Sequence, residues 1–286
     1  GIYATVEAAD RFIIESDLGE ETFACDMDTQ VLRRTACEGG YFSYVAGVAS
    51  YINEHYSVGG LRIHITRRTL PMKSGLSSSA AICVLTARGF NRIYKLKLNT
   101  LGEMNIAFIG EQRTPSRCGR LDQACAFGVK PVHMTFDSNE VDVEPITLGG
   151  TFYWVIADLK AGKDTIKILS DLNKCYPFAE NDRERAVHEA LGADNREYIE
   201  RAAGLLTEGN AEGLGALMRE VQENFDKKVA PASPKELASP VLHSVLNDEN
   251  LDKWIYGAKG VGSQGDGTVQ LLAKDAACQS EVINYL

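Results

Sequence analysis

No run of about eighteen apolar residues occurs anywhere in the chain, so no membrane-spanning helix is expected. Positive charge is scarce. Thirty Lys and Arg face 39 Asp and Glu, a formal net charge of −9, which argues against a nucleic-acid partner. The seven cysteines are odd in number and follow no framework spacing, so reduced, intracellular thiols are expected rather than disulfides. Cys118 and Cys125 are too far apart for a zinc knuckle, and the five histidines form no ligand pair, so a Cys/His metal site is not expected. Also missing is a signal or transit peptide, and a cytoplasmic protein is expected. The opening "GIYATVEAADRFIIESD" reads as a strand already under way, and the closing "SEVINYL" stops inside an apolar helix. The chain is therefore expected to be trimmed at both ends. No internal repeat or low-complexity segment is present.

What is present is an ordinary soluble composition: 44% apolar and 24% charged residues over 286 positions, enough for a substantial core. Residues 1–28 read as strands around a "DLGEE" turn, 42–56 as a helix and 61–68 as an alternating strand. Apolar helices are expected over roughly 77–93 and 98–110, then a hairpin from "VHMTFD" and "VDVEPI", and a buried strand over 151–159. Helical periodicity dominates from 164 to 226, and "PASPKEL" starts a further helix. A glycine-rich turn between two strand-like runs and a terminal helix complete the chain. The order fits an α+β protein of two lobes, residues 1–147 and 148–286.

Three stretches carry candidate chemistry. In "RTLPMKSGLSSSAAICVL", Gly75 frees the backbone for a tight turn and Ser77, Ser78 and Ser79 follow where a helix should begin. The first N–H groups of a helix lack intrahelical partners and carry the positive end of the dipole, so this is an anion site by construction. The same serines also suit a plain helix cap, and both readings stand at this point. A serine hydrolase fits less well because position 79 is serine where Gly-x-Ser-x-Gly needs glycine, and no Gly-Lys-Ser/Thr follows as a Walker loop requires. In "GEQRTPSRCGRLDQACAFG", Asp122 and Gln123 interrupt an apolar segment. Asp122 suits a catalytic base, or a structural carboxylate paired with Arg117 or Arg120. In "GAKGVGSQGDG", five glycines in eleven residues allow close approach of a ligand, or simply a long turn.

Taken in order, these stretches resemble the GHMP small-molecule kinases. "LPMKSGLSSSAA" is similar to that family's Pro-x-x-x-Gly-Leu-x-Ser-Ser-Ala-Ala motif, "CGRLDQ" to the Cys-Gly-x-Met-Asp-Gln segment of its sugar kinase branch, and "KGVGSQGDG" to its C-terminal glycine-rich motif. The resemblance implies a two-lobed GHMP kinase-like fold and an ATP-dependent sugar kinase using Mg2+, its product a sugar 1-phosphate. It implies that Lys73, Ser74, Gly75, Leu76, Ser77, Ser78 and Ser79 wrap the ATP phosphates, with Ser79 and Glu111 near Mg2+. Asp122 matches the aspartate that takes or steers the proton of the attacking hydroxyl. Gly262, Ser263, Gly265 and Gly267 would support the phosphate loop and the sugar pocket.

Departures from the family pattern are informative. Its N-terminal sugar-binding motif would lie upstream of Gly1, and Gln264 and Asp266 stand where the C-terminal motif has glycines. Asp266 would bring negative charge near a phosphate loop. Lys163 and Asp164, at the start of the second lobe, suit sugar hydroxyls or a uronic acid carboxylate, or a solvated helix start. Two other functions remain open: a mevalonate- or homoserine-type kinase, against which "CGRLDQ" argues, and a non-catalytic sugar or nucleotide sensor on the same fold. The oligomeric state has no signal in the sequence.

Overall fold

The computed structural model describes residues 1–19, 22–70, 76–116, 118–137 and 140–286. Their contacts divide the chain into two units, Gly1–Lys130 and Pro131–Leu286.

In the first unit, alternating side chains draw out β1 (Ile2–Ala9) and β2 (Phe12–Ser16), followed by β3 (Phe23–Cys25). Helix α1 (Thr29–Glu38) starts where the Asp28 carboxylate accepts the N–H groups of Gln30 and Val31, and it stops at Gly39, whose φ is 82°. Helix α2 (Tyr41–His55) and strand β4 (Gly60–Arg68) follow. The sheet order is β1-β4-β2-β3, with β2 and β4 parallel. A parallel pair needs a long crossover, which β3, α1 and α2 supply. Helices α3 (Ser78–Tyr94) and α4 (Thr100–Gln112) complete the unit. Phe12, Ile14, Leu61, Ile63 and Phe90 are buried at its centre, with the Phe12 and Phe90 ring centroids 5.8 Å apart. Each such side chain contributes roughly 1.5–3 kcal/mol by leaving water.

Two glycines bring α2 and α4 into backbone contact. A Cβ on Gly47 would lie 2.2 Å from the Gly110 carbonyl oxygen, and one on Gly110 would lie 2.7 Å from the Val48 Cα. Any larger residue at either position forces the helices apart. The consequence falls on Glu111, the next residue, whose place is set by this contact.

The second unit opens with a two-stranded antiparallel hairpin, β5 (Val132–Asp137) and β6 (Glu140–Pro145). The expected division at 147/148 put this hairpin in the first lobe, whereas the contacts group it with the second unit. The chain leaving it is tied there by Gly149 N–H donating to the Leu206 carbonyl. Next come β7 (Tyr153–Asp158), α5 (Thr165–Asn173), α6 (Asp182–Glu189), a π-helical turn, α7 (Asn195–Glu208) and α8 (Ala211–Lys228). The expected helix after "PASP" is split in two, α9 (Pro234–Leu237) and α10 (Pro240–Leu246). Strands β8 (Ile255–Gly260) and β9 (Thr268–Ala273) and helix α11 (Ala276–Tyr285) end the chain.

The second sheet has the order β7-β9-β8, antiparallel throughout. Neighbouring residues of β9 belong to different cores. Leu271 packs with Val155, Leu242, Ile255 and Val282, while Leu272 packs with Leu214, Leu217 and Met218. Because successive strand side chains point to opposite faces, the sheet is covered on both sides. Sheets with mostly antiparallel pairing, combined with helices, make the α+β class expected from the sequence.

Candidate active site

Helix α3 is seated by its apolar face. Ala80, Ile82, Cys83, Val84, Ala87 and Phe90 are buried, whereas Ser77, Ser78 and Ser79 at its start are half-buried. Ser77 stands at the cap position but with φ 50° and ψ 51°, and its hydroxyl caps nothing. A capping serine uses extended backbone to bring its oxygen back to the first-turn amides, and the left-handed geometry here turns it away. The capping reading is therefore corrected. Among the described residues the three serine hydroxyls make no hydrogen bond, and the first-turn N–H groups lack intrahelical acceptors. Lys73, Ser74 and Gly75, and also Arg117, lie outside the described residues.

Asp122 opens a short 3-10 helix, Asp122–Phe127, closed by Gly128 at φ 74°. Successive side chains of such a turn point about 120° apart, so neighbours can face opposite environments. Asp122 is exposed, while Gln123 is completely buried. The pairing of Asp122 with Arg120 is not formed. Arg120 Nη2 donates to Asn105 Oδ1 at 3.0 Å, and its guanidinium lies 5.5 Å from the Phe108 ring centroid. No hydrogen bond or ion pair engages the Asp122 carboxylate among the described residues.

The turn is held from behind. Arg88, on α3, donates from Nη2 to the Ala126 carbonyl and from Nε to Glu103 Oε2, both at 2.7 Å. Asn91 Nδ2 donates to the other Glu103 oxygen at 2.8 Å. Glu103 is buried, so this charge is compensated by a guanidinium and an amide together. The network ties the Asp122 turn to both α3 and α4.

Glu111, in the last turn of α4, is 1% exposed. Gln123 Nε2 donates to its Oε2 at 2.8 Å and to Cys118 Sγ at 3.1 Å. The Gln123 Oε1 is buried with no hydrogen-bond partner, an arrangement that costs about 1–3 kcal/mol of desolvation. Two residues beyond Glu111, Arg113 forks onto Glu54 at 2.7 and 2.9 Å, and Arg33 grips the same carboxylate at 2.6 and 2.8 Å. The Arg33 and Arg113 hydrogen bonds hold the Glu54 carboxyl down to about 2.

The thiols nearby are not nucleophiles. Burial, then the Glu111 carboxylate, pushes Cys118 up to about 12, and the same two causes raise Cys83 well above the ordinary range. Cys83 is one helical turn beyond Ser79 on the same face of α3, so that face looks toward Glu111. Among the described residues no three His, Cys, Asp or Glu converge on a metal-sized site. The donors that the family resemblance implies for a hard cation are one carboxylate, Glu111, and the Ser79 hydroxyl. That donor set suits Mg2+, which takes one or two protein oxygens and completes its shell from substrate phosphates and water.

The glycine-rich turn of the second unit is braced internally. Gly262, Gln264 and Gly265 have φ of 61°, 64° and 74°. Lys163 Nζ donates to the Gln264 carbonyl at 2.9 Å, and the lysine stem lies along the turn. A Cβ on Gly265 would come within 3.2 Å of that stem, and one on Gly267 within 2.9 Å. These two glycines therefore make room for Lys163. Asp266 Oδ1 accepts the Leu242 N–H at 2.8 Å, in the first turn of α10. Its charge is thus committed to a helix N-terminus. Asp164 caps α5 by accepting the Lys167 N–H at 2.9 Å. Gly262 is exposed and Ser263 half-buried.

The sequence reading missed the Arg88–Glu103–Asn91 network and the Gln123–Glu111 bond. Gln123 offered one clue, an amide inside an apolar segment. Arg88 and Glu103 offered none, since each suits an ordinary amphipathic helix. Among the described residues no helix is long and apolar enough to cross a membrane.

The family model described as GHMP kinases N terminal domain matches residues 43–129. The galactokinase of Thermotoga petrophila is 31% identical over 299 aligned positions, covering 96% of this chain and 81% of that protein. The crystal structure of Lactococcus lactis galactokinase complexed with galactose superposes with a TM-score of 0.71 at 16% identity, covering 99% of this chain and 82% of that one. The Streptococcus pneumoniae phosphomevalonate kinase in complex with phosphomevalonate and AMPPNP gives a TM-score of 0.72 at 14% identity, over 98% and 85% of the two chains. At these identities the solved structures speak to the fold.

Proposed function

The chain belongs to the GHMP kinase superfamily, in its galactokinase-like branch, and on that premise we propose that it transfers the γ-phosphoryl group of ATP to a monosaccharide hydroxyl, the anomeric one, giving a sugar 1-phosphate. The observation that carries the proposal is the pairing of Asp122, exposed and unengaged, with the buried Glu111 through the single residue Gln123. A carboxylate facing solvent at the head of a braced turn suits a proton acceptor, and a carboxylate sunk beside the start of α3 suits a cation.

Phosphoryl transfer asks the protein for alignment and charge neutralisation rather than covalent chemistry. The unpaired N–H groups and hydroxyls at Leu76, Ser77, Ser78 and Ser79 receive the ATP phosphates, with Lys73, Ser74 and Gly75 completing the loop. Asp122 accepts or steers the proton of the attacking hydroxyl. Ser79 and Glu111 would hold Mg2+, which supplies positive charge at the phosphate oxygens when bound. We assign the turn at Gly262, Ser263, Gly265 and Gly267, braced by Lys163 within the second unit, to ligand support, and Lys163 and Asp164 remain the candidates for sugar contact. A cytoplasmic enzyme fits ATP as donor.

The Cys118-to-Gln123 segment favours a sugar over mevalonate or homoserine as acceptor. Gln264 and Asp266, in place of glycines, keep a sensor on the same fold as the competing reading. ADP release from the full-length protein, measured across a panel of monosaccharides, separates them. Turnover of at least one sugar is expected. ATP binding without turnover of any sugar overturns the kinase reading in favour of the sensor.

A further inference from the structure

Gln123 is the one residue that touches both halves of the proposed chemistry. Its backbone carries Asp122, and its side chain bonds Glu111. The side chain is fully buried, yet only one of its two polar atoms is used. Nε2 serves Glu111 Oε2 and Cys118 Sγ, while Oε1 has no partner. Packing alone does not ask for an amide here. Methionine has nearly the same length and volume and would remove the unpaired Oε1, but it would leave the buried Glu111 Oε2 without its donor.

The amide orientation is dictated from outside. Turning it over would set Oε1 against a carboxylate oxygen, two acceptors in contact. The donor toward Glu111 is thus what glutamine supplies and methionine cannot. A hydrogen bond to one carboxylate oxygen fixes the plane of the group, which is how outer partners orient a carboxylate toward a cation. Burial of Gln123 also turns the adjacent Asp122 outward, because neighbouring side chains of the 3-10 turn diverge.

We propose that Gln123 is a positioning residue, whose amide N–H sets the Glu111 carboxylate to receive the divalent cation. This rests on the assignment of Glu111 to the cation. The Arg33–Glu54–Arg113 cluster and the Gly47–Gly110 contact place the Glu111 backbone; Gln123 places its oxygens.

The test is Mn2+ binding, followed by electron paramagnetic resonance in the presence of saturating ADP, on the full-length protein and its Gln123→Met variant. Mn2+ affinity is expected to fall about tenfold or more, and the melting temperature to fall as well, because the buried Glu111 oxygen loses its donor. ADP affinity without metal should stay unchanged. A purely structural role predicts a lowered melting temperature with Mn2+ affinity intact in the folded protein, and that result overturns the proposal. Should Gln123→Met fail to fold, Gln123→Asn keeps the amide but falls one methylene short, and the same loss of Mn2+ affinity is expected. Glu111→Gln separates the two levels of inference. If it abolishes Mn2+ binding and the Gln123 variants do not weaken it, only the positioning role falls. If Glu111→Gln leaves Mn2+ binding unchanged, the assignment of Glu111 falls and the positioning role with it.

Discussion

The start of α3 with its Asp122 turn, in the first unit, and the glycine-rich turn of the second unit are handled in opposite ways. In the first, polar groups are left without partners among the described residues: three serine hydroxyls, a helix N-terminus and the Asp122 carboxylate. In the second, the charged side chains are consumed, although the buried Gln264 Oε1 has no partner among the described residues. Lys163 holds the Gln264 carbonyl, Asp266 serves the Leu242 N–H, and Asp164 caps α5. A group already hydrogen-bonded must lose that bond before it can bind a ligand, so the first region is poised for chemistry and the second for shape.

The sharpest way to break this contrast is Asp122→Asn. It should lower kcat by about 10²-fold or more while nucleotide affinity holds, since the amide keeps the shape and loses the proton acceptor; steady-state kinetics and ADP titration measure both. An unimpaired kcat would remove Asp122 from the chemistry and erase the difference between the regions. Next in size is Arg88→Met, which strands the buried Glu103 charge and frees the Ala126 carbonyl. A loss of about 2–3 kcal/mol in urea unfolding is expected, below the full range for a buried pair because Arg88 is partly exposed.

Asp266→Gly restores the family glycine and removes the acceptor at the start of α10. About 1 kcal/mol of stability should go, by analogy with loss of a helix cap, with kcat changed far less than by Asp122→Asn. A larger kinetic effect at Asp266 than at Asp122 would invert the comparison. A separate effect concerns pH. Glu54 lies at about 2 in the folded protein, below its value of 4.5 in the unfolded chain. Its contribution is therefore present above pH 4.5 and is lost as the pH falls through 4.5 toward 2. Urea midpoints across that window should fall less steeply for Glu54→Gln than for the parent, although the variant starts from a lower stability.

Much of the fold was legible because its causes are local. The apolar spacing of residues 78–94 and 100–112 needs only the helical period, and the "VHMTFD" and "VDVEPI" runs need only alternation. The hairpin's allegiance to the second unit was not legible, since it depends on where Gly149 meets Leu206. Of the two roles offered for Asp164, a sugar contact or a helix start, its bond to the Lys167 N–H fits the helix start, while Lys163 reaches a loop 101 residues away. Asp266, expected to bring negative charge near a phosphate loop, is hydrogen-bonded to the first turn of α10.

The order of the three stretches, serines, then Asp122, then glycines, was enough by itself to place the chain among the kinases, because that order is a property of the polymer. Which groups stay free for chemistry was decided only by the tertiary structure. A hydrogen bond such as Gln123 to Glu111, twelve positions apart, depends on the two glycines that let α2 and α4 touch as much as on the two residues that form it. Residue type states what a side chain can donate or accept; only the packed fold determines whether a neighbour has already taken it.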